Sequence, residues 1–284
     1  MKVLKKIFVY AIGLVLISCE KKVPFHVPYE GNKIVVNSLI QPDSLLYVRV
    51  TSSTPSNVYN EDGFPEIKNP AIVLTADGEQ LPDLKPMLIN GKTWWVSNTP
   101  AVLGKQYQAK VSAAGFTPVE AKDTMPGAPA AEQLGALRNS KRIQFVLKDR
   151  PGATDYYRIR VAATTPDSVT SWLLFRLDPA FNNNLIDFFT RENFTSLVMN
   201  DERFDGKTIT FVLETAFPIP AKTRLTVEIS ALTSSTYQYF STLLAQSESL
   251  SAITGAPVRV FSNVTNGYGI LGGINAKKLT ITVE

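Results

Sequence analysis

Strand-length runs of alternating residues, each closed by turn formers, recur along the chain and constrain its fold more than any other feature. Tyr107, Ala109 and Val111 alternate with Gln108, Lys110 and Ser112, the period-2 mark of a strand with one buried face. Similar strand signals cover Lys33–Ile40, Leu45–Thr51, Ala71–Thr75 and Lys92–Ser97, with Gln41-Pro42-Asp43, Ala76-Asp77-Gly78 and Asn90-Gly91 as punctuation. A second series follows: Lys141–Lys148, Tyr156–Ala162, Ser171–Leu177, Lys207–Leu213 and Lys222–Ser230, with Lys278–Val283 closing the chain. Short strands at this turn spacing predict an all-β protein of antiparallel, Ig-like sandwiches. Between the two series lies Asp123-Thr124-Met125-Pro126-Gly127-Ala128-Pro129, whose prolines block propagation of helix and sheet. The expected division is an N-terminal β-sandwich domain over 33–125 and a C-terminal β-rich domain over 126–284.

One helix is predicted near 234–250. Ser234-Ser235-Thr236 offers capping hydroxyls, and Tyr237, Phe240, Leu243, Leu244 and Ser247 form a helical stripe suited to packing on the second sandwich. Arg158 and Arg160 alternate with Tyr157, Ile159 and Val161, which predicts a solvated arginine face on that strand. The glycines of Asn266-Gly267-Tyr268-Gly269-Ile270-Leu271-Gly272-Gly273 read as tight turns. A phosphate loop would need a helix after them, whereas a strand follows.

The N-terminus carries an address. Lys2, Lys5 and Lys6 precede an apolar run, Ile7–Ile17, that is far shorter than the roughly 20 residues needed to span a bilayer. That layout is a secretory signal peptide over residues 1–18. Leu16-Ile17-Ser18-Cys19 fits a lipobox, in which the thiol receives a diacylglycerol before cleavage, so Cys19 is the expected lipidation site. Palmitate-type acyl chains would anchor the mature chain to the outer membrane, each buried CH₂ contributing about 0.8 kcal/mol. Residues 19–32 read as the lipidated tether. Its Glu20-Lys21-Lys22 leaves open which side of the membrane the protein faces. Removing residues 1–18 lowers the formal charge from +4 to +1, so the basic character belongs partly to the leader. With no basic cluster interleaved with aromatics, a nucleic-acid partner is not expected.

The chain resembles a large lipoprotein family of Bacteroidetes-type bacteria, domain of unknown function 4249. The residues that carry the resemblance are Lys33–Ile40, Tyr107–Val111 leading to Thr124-Met125-Pro126, Tyr237-Gln238-Tyr239-Phe240, Pro257, Ser262–Gly267, Gly269 and Gly272-Gly273. The family's closing pattern often has an aromatic where this chain has Ile270-Leu271. The resemblance implies an accessory role beside a TonB-dependent outer-membrane receptor in nutrient capture, and supplies no catalytic residue.

The residues themselves point away from catalysis, and the expected protein is not an enzyme and holds no cofactor. Cys19 is the only cysteine and His26, in the tether, the only histidine, so thiol catalysis, a Ser-His-Asp arrangement and a His/Cys zinc site lack their parts. Glu61-Asp62 and Asp201-Glu202 with Asp205 are the densest acids. Asn200–Gly206 has the composition of a calcium loop without its twelve-residue spacing, so a calcium site there stays open and no metal site is assigned. Aromatics are the binding candidates: Trp94, Trp95 and Trp172 could stack a sugar ring, with Phe188-Phe189 as similar residues. Trp94 and Trp95 are adjacent on a strand and must face opposite sides. The alternatives are thus an accessory binding protein, a glycan-binding module using an exposed Trp, or a structural adhesin or envelope scaffold.

Overall fold

The computed structural model describes residues 29–55, 58, 63–185, 193–247 and 259–284. The first part of the chain forms β1 (Ile34–Ile40), β2 (Leu45–Ser52), β3 (Ala71–Ala76), β4 (Glu79–Gln80), β5 (Lys85–Ile89), β6 (Lys92–Pro100), β7 (Gln106–Ser112) and β8 (Val119–Thr124). The second forms β9 (Ala130–Ala136), β10 (Arg142–Lys148), β11 (Tyr156–Thr164), β12 (Thr170–Trp172), β13 (Phe175–Leu177), the short α1 (Pro179–Asn182), β14 (Leu197–Asn200), β15 (Thr208–Thr215), β16 (Arg224–Leu232), α2 (Ser234–Ser247) and β17 (Tyr268–Thr282). The protein is mostly β. No helix among the described residues is long and apolar enough to cross a membrane.

One nine-stranded sheet runs through the molecule in the order β12-β11-β16-β17-β1-β2-β6-β5, with β14 also paired to β11. Among the described residues two four-stranded sheets, β4-β3-β7-β8 and β13-β15-β10-β9, complete the set. Ile34, Val36, Leu46, Val48 and Val50 of the long sheet share a core with Leu74, Tyr107, Ala109 and Val111 of the first small sheet. Ile159, Val161, Val227 and Ile229 share the other core with Phe145, Leu147, Phe211 and Leu213. Phe145 and Phe211 stack at 5.3 Å, and Phe204 meets Phe211 edge-on at 5.8 Å. Each fully buried side chain of this size contributes about 1.5–3 kcal/mol. The fold is therefore two layered β units that share one long sheet.

β17 makes that sharing possible. Its first half lies parallel to β1, from Val35 opposite Tyr268 to Ile40 opposite Gly273. Its second half runs antiparallel to β16, from Ile274 opposite Leu232 to Thr282 opposite Arg224. Among the described residues the sheets are antiparallel, as expected, with this β1–β17 pair as the parallel exception. Val264 and Leu271, from the end of the chain, lie in the core formed by the N-terminal strands. One expectation changes here. The glycine-rich stretch is strand from Tyr268 onward, not a series of turns, since its missing side chains let other backbone come close. A Cβ on Gly269 would collide with the carbonyl of Val36, and one on Gly273 with that of Thr124.

Candidate functional site

The long sheet has one face in the two cores and another crossed by α2. The helix is capped by Thr233, whose Oγ1 accepts from Thr236 N at 3.2 Å, rather than by the three hydroxyl residues after it. Thr233 also donates to Asp123, which accepts from Gly273 N at 3.0 Å. Thr236 donates to the Gly273 carbonyl at 3.0 Å. These bonds fix the helix start over the seam where the two units meet, so its apolar stripe lies on the sheet's second face instead of entering the core. Tyr237 stacks on Tyr156 at 4.6 Å. Phe240 covers the Arg158 guanidinium at 4.7 Å.

A cleft opens on each side of α2. The larger, about 810 Å³, lies toward β6 and is lined by Tyr47, Trp94, Tyr239, Asn37, Asn90 and Lys92, with Leu39 and Ile270 among its apolar contacts. Trp94 and Tyr47 meet edge-on at 6.5 Å and 82°. β2 and β6 place these rings on the same sheet face, and burial pushes the Tyr239 hydroxyl pKa upward. Trp95 faces the other way and packs against the N-terminal core, as strand alternation requires.

The smaller cleft, about 350 Å³, lies toward β12 and is bounded by Arg158, Arg160, Trp172, Phe240 and Leu243. Trp172 is half exposed and carries the Arg160 guanidinium 4.1 Å from its ring centroid. The expected solvated arginine face is thus corrected: Arg158 is only 9% exposed, because α2 lies over it. Burial first, and the Arg160 charge second, lower its pKa to about 10, which still leaves it cationic near neutral pH.

The acidic loop gathers in an unexpected combination. Asp149, Asp155 and Asp201 each bring an oxygen within 4.8 Å of the others. Asp149 accepts from Tyr157 Oη at 2.6 Å and Gly206 N at 2.9 Å, and Asp201 from Asp155 N at 2.8 Å. Arg150 donates to Asp155, while Asp205 turns aside to accept from Gly152 N at 2.9 Å. The carboxylates therefore already lace the loops together. Burial, followed by the nearby charges of Asp149 and Asp155, raises the Asp201 pKa against the pull of its backbone hydrogen bonds. A carboxyl raised in the folded state binds its proton more tightly there than in the unfolded chain. Its contribution to stability consequently falls as pH rises through the folded-state value. Asp201→Asn is expected to gain in thermal stability relative to the parent at pH 8, and that gain is expected to shrink as pH falls toward 4. Paired melting curves across this range check it; a difference independent of pH would exclude the strained carboxylate.

Of the residues singled out by sequence, Trp94 and Trp172 border clefts, Trp95 serves the core, and Asp201 joins two acids that sequence order did not suggest. Cys19, His26, Glu61, Asp62, Phe188 and Phe189 lie outside the described residues. Tyr47, Asn37, Asn90 and Tyr239 were not predicted as lining residues, because only the folded sheet and helix assemble them. Tyr239 had signalled only through its place in the Tyr237–Phe240 string.

Several residues that carried the family resemblance, Asn263, Thr265 and Gly273 among them, lie at the seam, while Tyr107–Val111 form β7 and Pro257 lies outside the described residues. Asn263 pairs with both backbone groups of Leu271, at 2.8 and 3.1 Å, and also donates to the Lys122 carbonyl at 3.2 Å. Thr265 bridges Glu120, and Asn275 donates to the Pro126 carbonyl at 3.0 Å. They are the means by which the end of the chain is sewn into its beginning. A comparison with curated proteins returns no match. A family model described as a domain of unknown function, DUF4249, matches residues 20–280, and the chain belongs to that family.

Proposed function

We propose that this chain is a non-enzymatic, lipid-anchored outer-membrane protein that binds a glycan-type nutrient in the Trp94 cleft and works beside a TonB-dependent receptor. The cleft is the observation that carries the reading. Its size falls within the roughly 300–1,000 Å³ of small-molecule sites, and it combines aromatic rings with amide and ammonium donors. Aromatic faces stack on the C–H face of a sugar, while Asn37, Asn90 and Lys92 suit its hydroxyls. The leader over 1–18 and Cys19 support export and anchoring. The presence of one cysteine and one histidine in the whole sequence supports binding over thiol- or histidine-dependent turnover.

Titration of the mature protein with a panel of oligosaccharides tests this. Saturable binding is expected, weakened about 10-fold or more by Trp94→Ala, a loss of ~1.4 kcal/mol, with little change in melting temperature. Trp95→Ala is the contrast: it lowers the melting temperature because the ring packs on the core. Hydrolysis of the panel at enzyme-like rates would overturn the non-enzymatic part. Cross-linking of the lipidated protein in outer membranes tests the receptor partner; self-association with neither receptor nor ligand would favour an adhesin or envelope scaffold.

A further inference from the structure

We infer that the smaller cleft, between α2 and β12, is a second binding site, for an organic carboxylate carried on a ring or apolar body. It stands independently of the Trp94 reading. Three cations converge on one acid, and two of them, Arg158 and Arg160, line the cleft. Arg160 donates to Glu228 Oε1 from Nε at 3.1 Å and from a terminal nitrogen at 2.6 Å. Arg158 reaches the same oxygen at 3.4 Å, and Lys278 lies 4.0 Å from Oε2. Among the described residues no other carboxylate pairs with any of the three, which leaves the two arginines at the cleft with one formal positive charge in excess even before Lys278 is counted. Arg158 is nine-tenths buried, and its Nε finds no hydrogen-bond partner among the described residues. A buried donor without an acceptor is costly and marks a site short of negative partners, and a second carboxylate in the cleft would relieve the excess charge.

The geometry also describes the rest of the ligand. Phe240 covers one face of the Arg158 guanidinium and Trp172 one face of that of Arg160, so hydrogen bonding is left to the guanidinium edges, which suit the paired oxygens of a carboxylate. Beyond the arginines the wall is Trp172, Phe240 and Leu243, with Thr195 and Ser196 also at the cleft. A bare inorganic anion would leave that apolar wall uncovered. An aromatic acid or a uronic-type sugar would cover it while presenting its charge to the floor.

The mature full chain, titrated at low salt with benzoate and D-glucuronate and with their neutral counterparts benzamide and D-glucose, tests the site. At least one acid is expected to bind saturably and at least tenfold more tightly than its neutral counterpart. Trp172→Ala and Arg160→Gln should each weaken that binding tenfold or more, while Trp94→Ala leaves it unchanged. Trp172 is half exposed, so its variant keeps the test valid should Arg160→Gln fold poorly. No saturable binding of either acid, equal binding of acid and neutral partner, or binding that survives Trp172→Ala would overturn the proposal. Inorganic phosphate binding as tightly as the better acid would overturn the role given to the apolar wall.

Discussion

Gly269→Ala is expected to destabilise the protein by about 3 kcal/mol or more, at the upper end of single substitutions. Gly269 has φ of +104°, a region that side chains rarely enter, and an added Cβ would lie 2.8 Å from the Val36 carbonyl carbon and closer still to its oxygen. Neither obstacle is a flexible side-chain end. Both belong to the backbone of β1, which is held in register with β17 along its length. Relief would require pulling β1 from β17, removing Leu271 from the N-terminal core and breaking the continuity of the long sheet. Gly78→Ala provides the control: its φ is +85° but nothing lies within 4 Å of the added Cβ, so only the backbone cost of about 1–2 kcal/mol applies. Thermal denaturation of both variants measures the contrast. Hydrogen exchange adds the location, with amides of β1 and of residues 268–273 losing protection in the Gly269 variant first. Equal stability losses in the two variants would show that the close approach does not constrain the seam.

This seam marks the limit of what the sequence made legible. The alternating runs fell on strands because residues two apart share a face whatever their partners are, and the same parity rule separated Trp94 from Trp95. Thr236, Tyr237 and Phe240 sit on a real helix. β5 was missed because Lys85-Pro86-Met87-Leu88-Ile89 is an edge strand with both faces largely exposed, so burial left no alternation, and the edge position also tolerates its proline. β17 was half missed because glycine is locally a turn former. Only a partner strand from the opposite end of the chain makes it a point of close approach. The clefts were hidden for the same reason. Trp172 could be seen as an aromatic and Arg160 as the alternate face of a strand, but their stacking needs the β11–β12 pairing that sets Trp172 opposite Ala162. The burial of Arg158 needs α2 above it, and nothing in a strand's own pattern reports what will cover it.

That covering gives Glu228→Gln the second large expected effect, a loss of about 3–5 kcal/mol, the range for removing one partner of a buried charge network. Glutamine preserves the shape, so no cavity is created and the change isolates the charge. In the parent, Glu228 is the single carboxylate paired with Arg158, Arg160 and Lys278 among the described residues. Without it the guanidinium of Arg158 stays under Phe240 with no counter-charge, and Arg160 becomes an uncompensated repulsion beside it. Arg160 and Lys278 can turn toward solvent, since their side chains are 29% and 66% exposed; Arg158 cannot. Glu214→Gln is the matched control, because its pair with Arg176 is partly exposed on both sides and such pairs contribute about 0–1 kcal/mol. Melting curves of the two variants should therefore separate clearly, and a small loss for both would mean that Arg158 finds water or another acceptor. Added benzoate should recover part of the stability lost in Glu228→Gln and have little effect on Glu214→Gln. Recovery confined to the first variant would place the carboxylate at the arginine floor, where one negative charge is needed for folding and a second has room to bind.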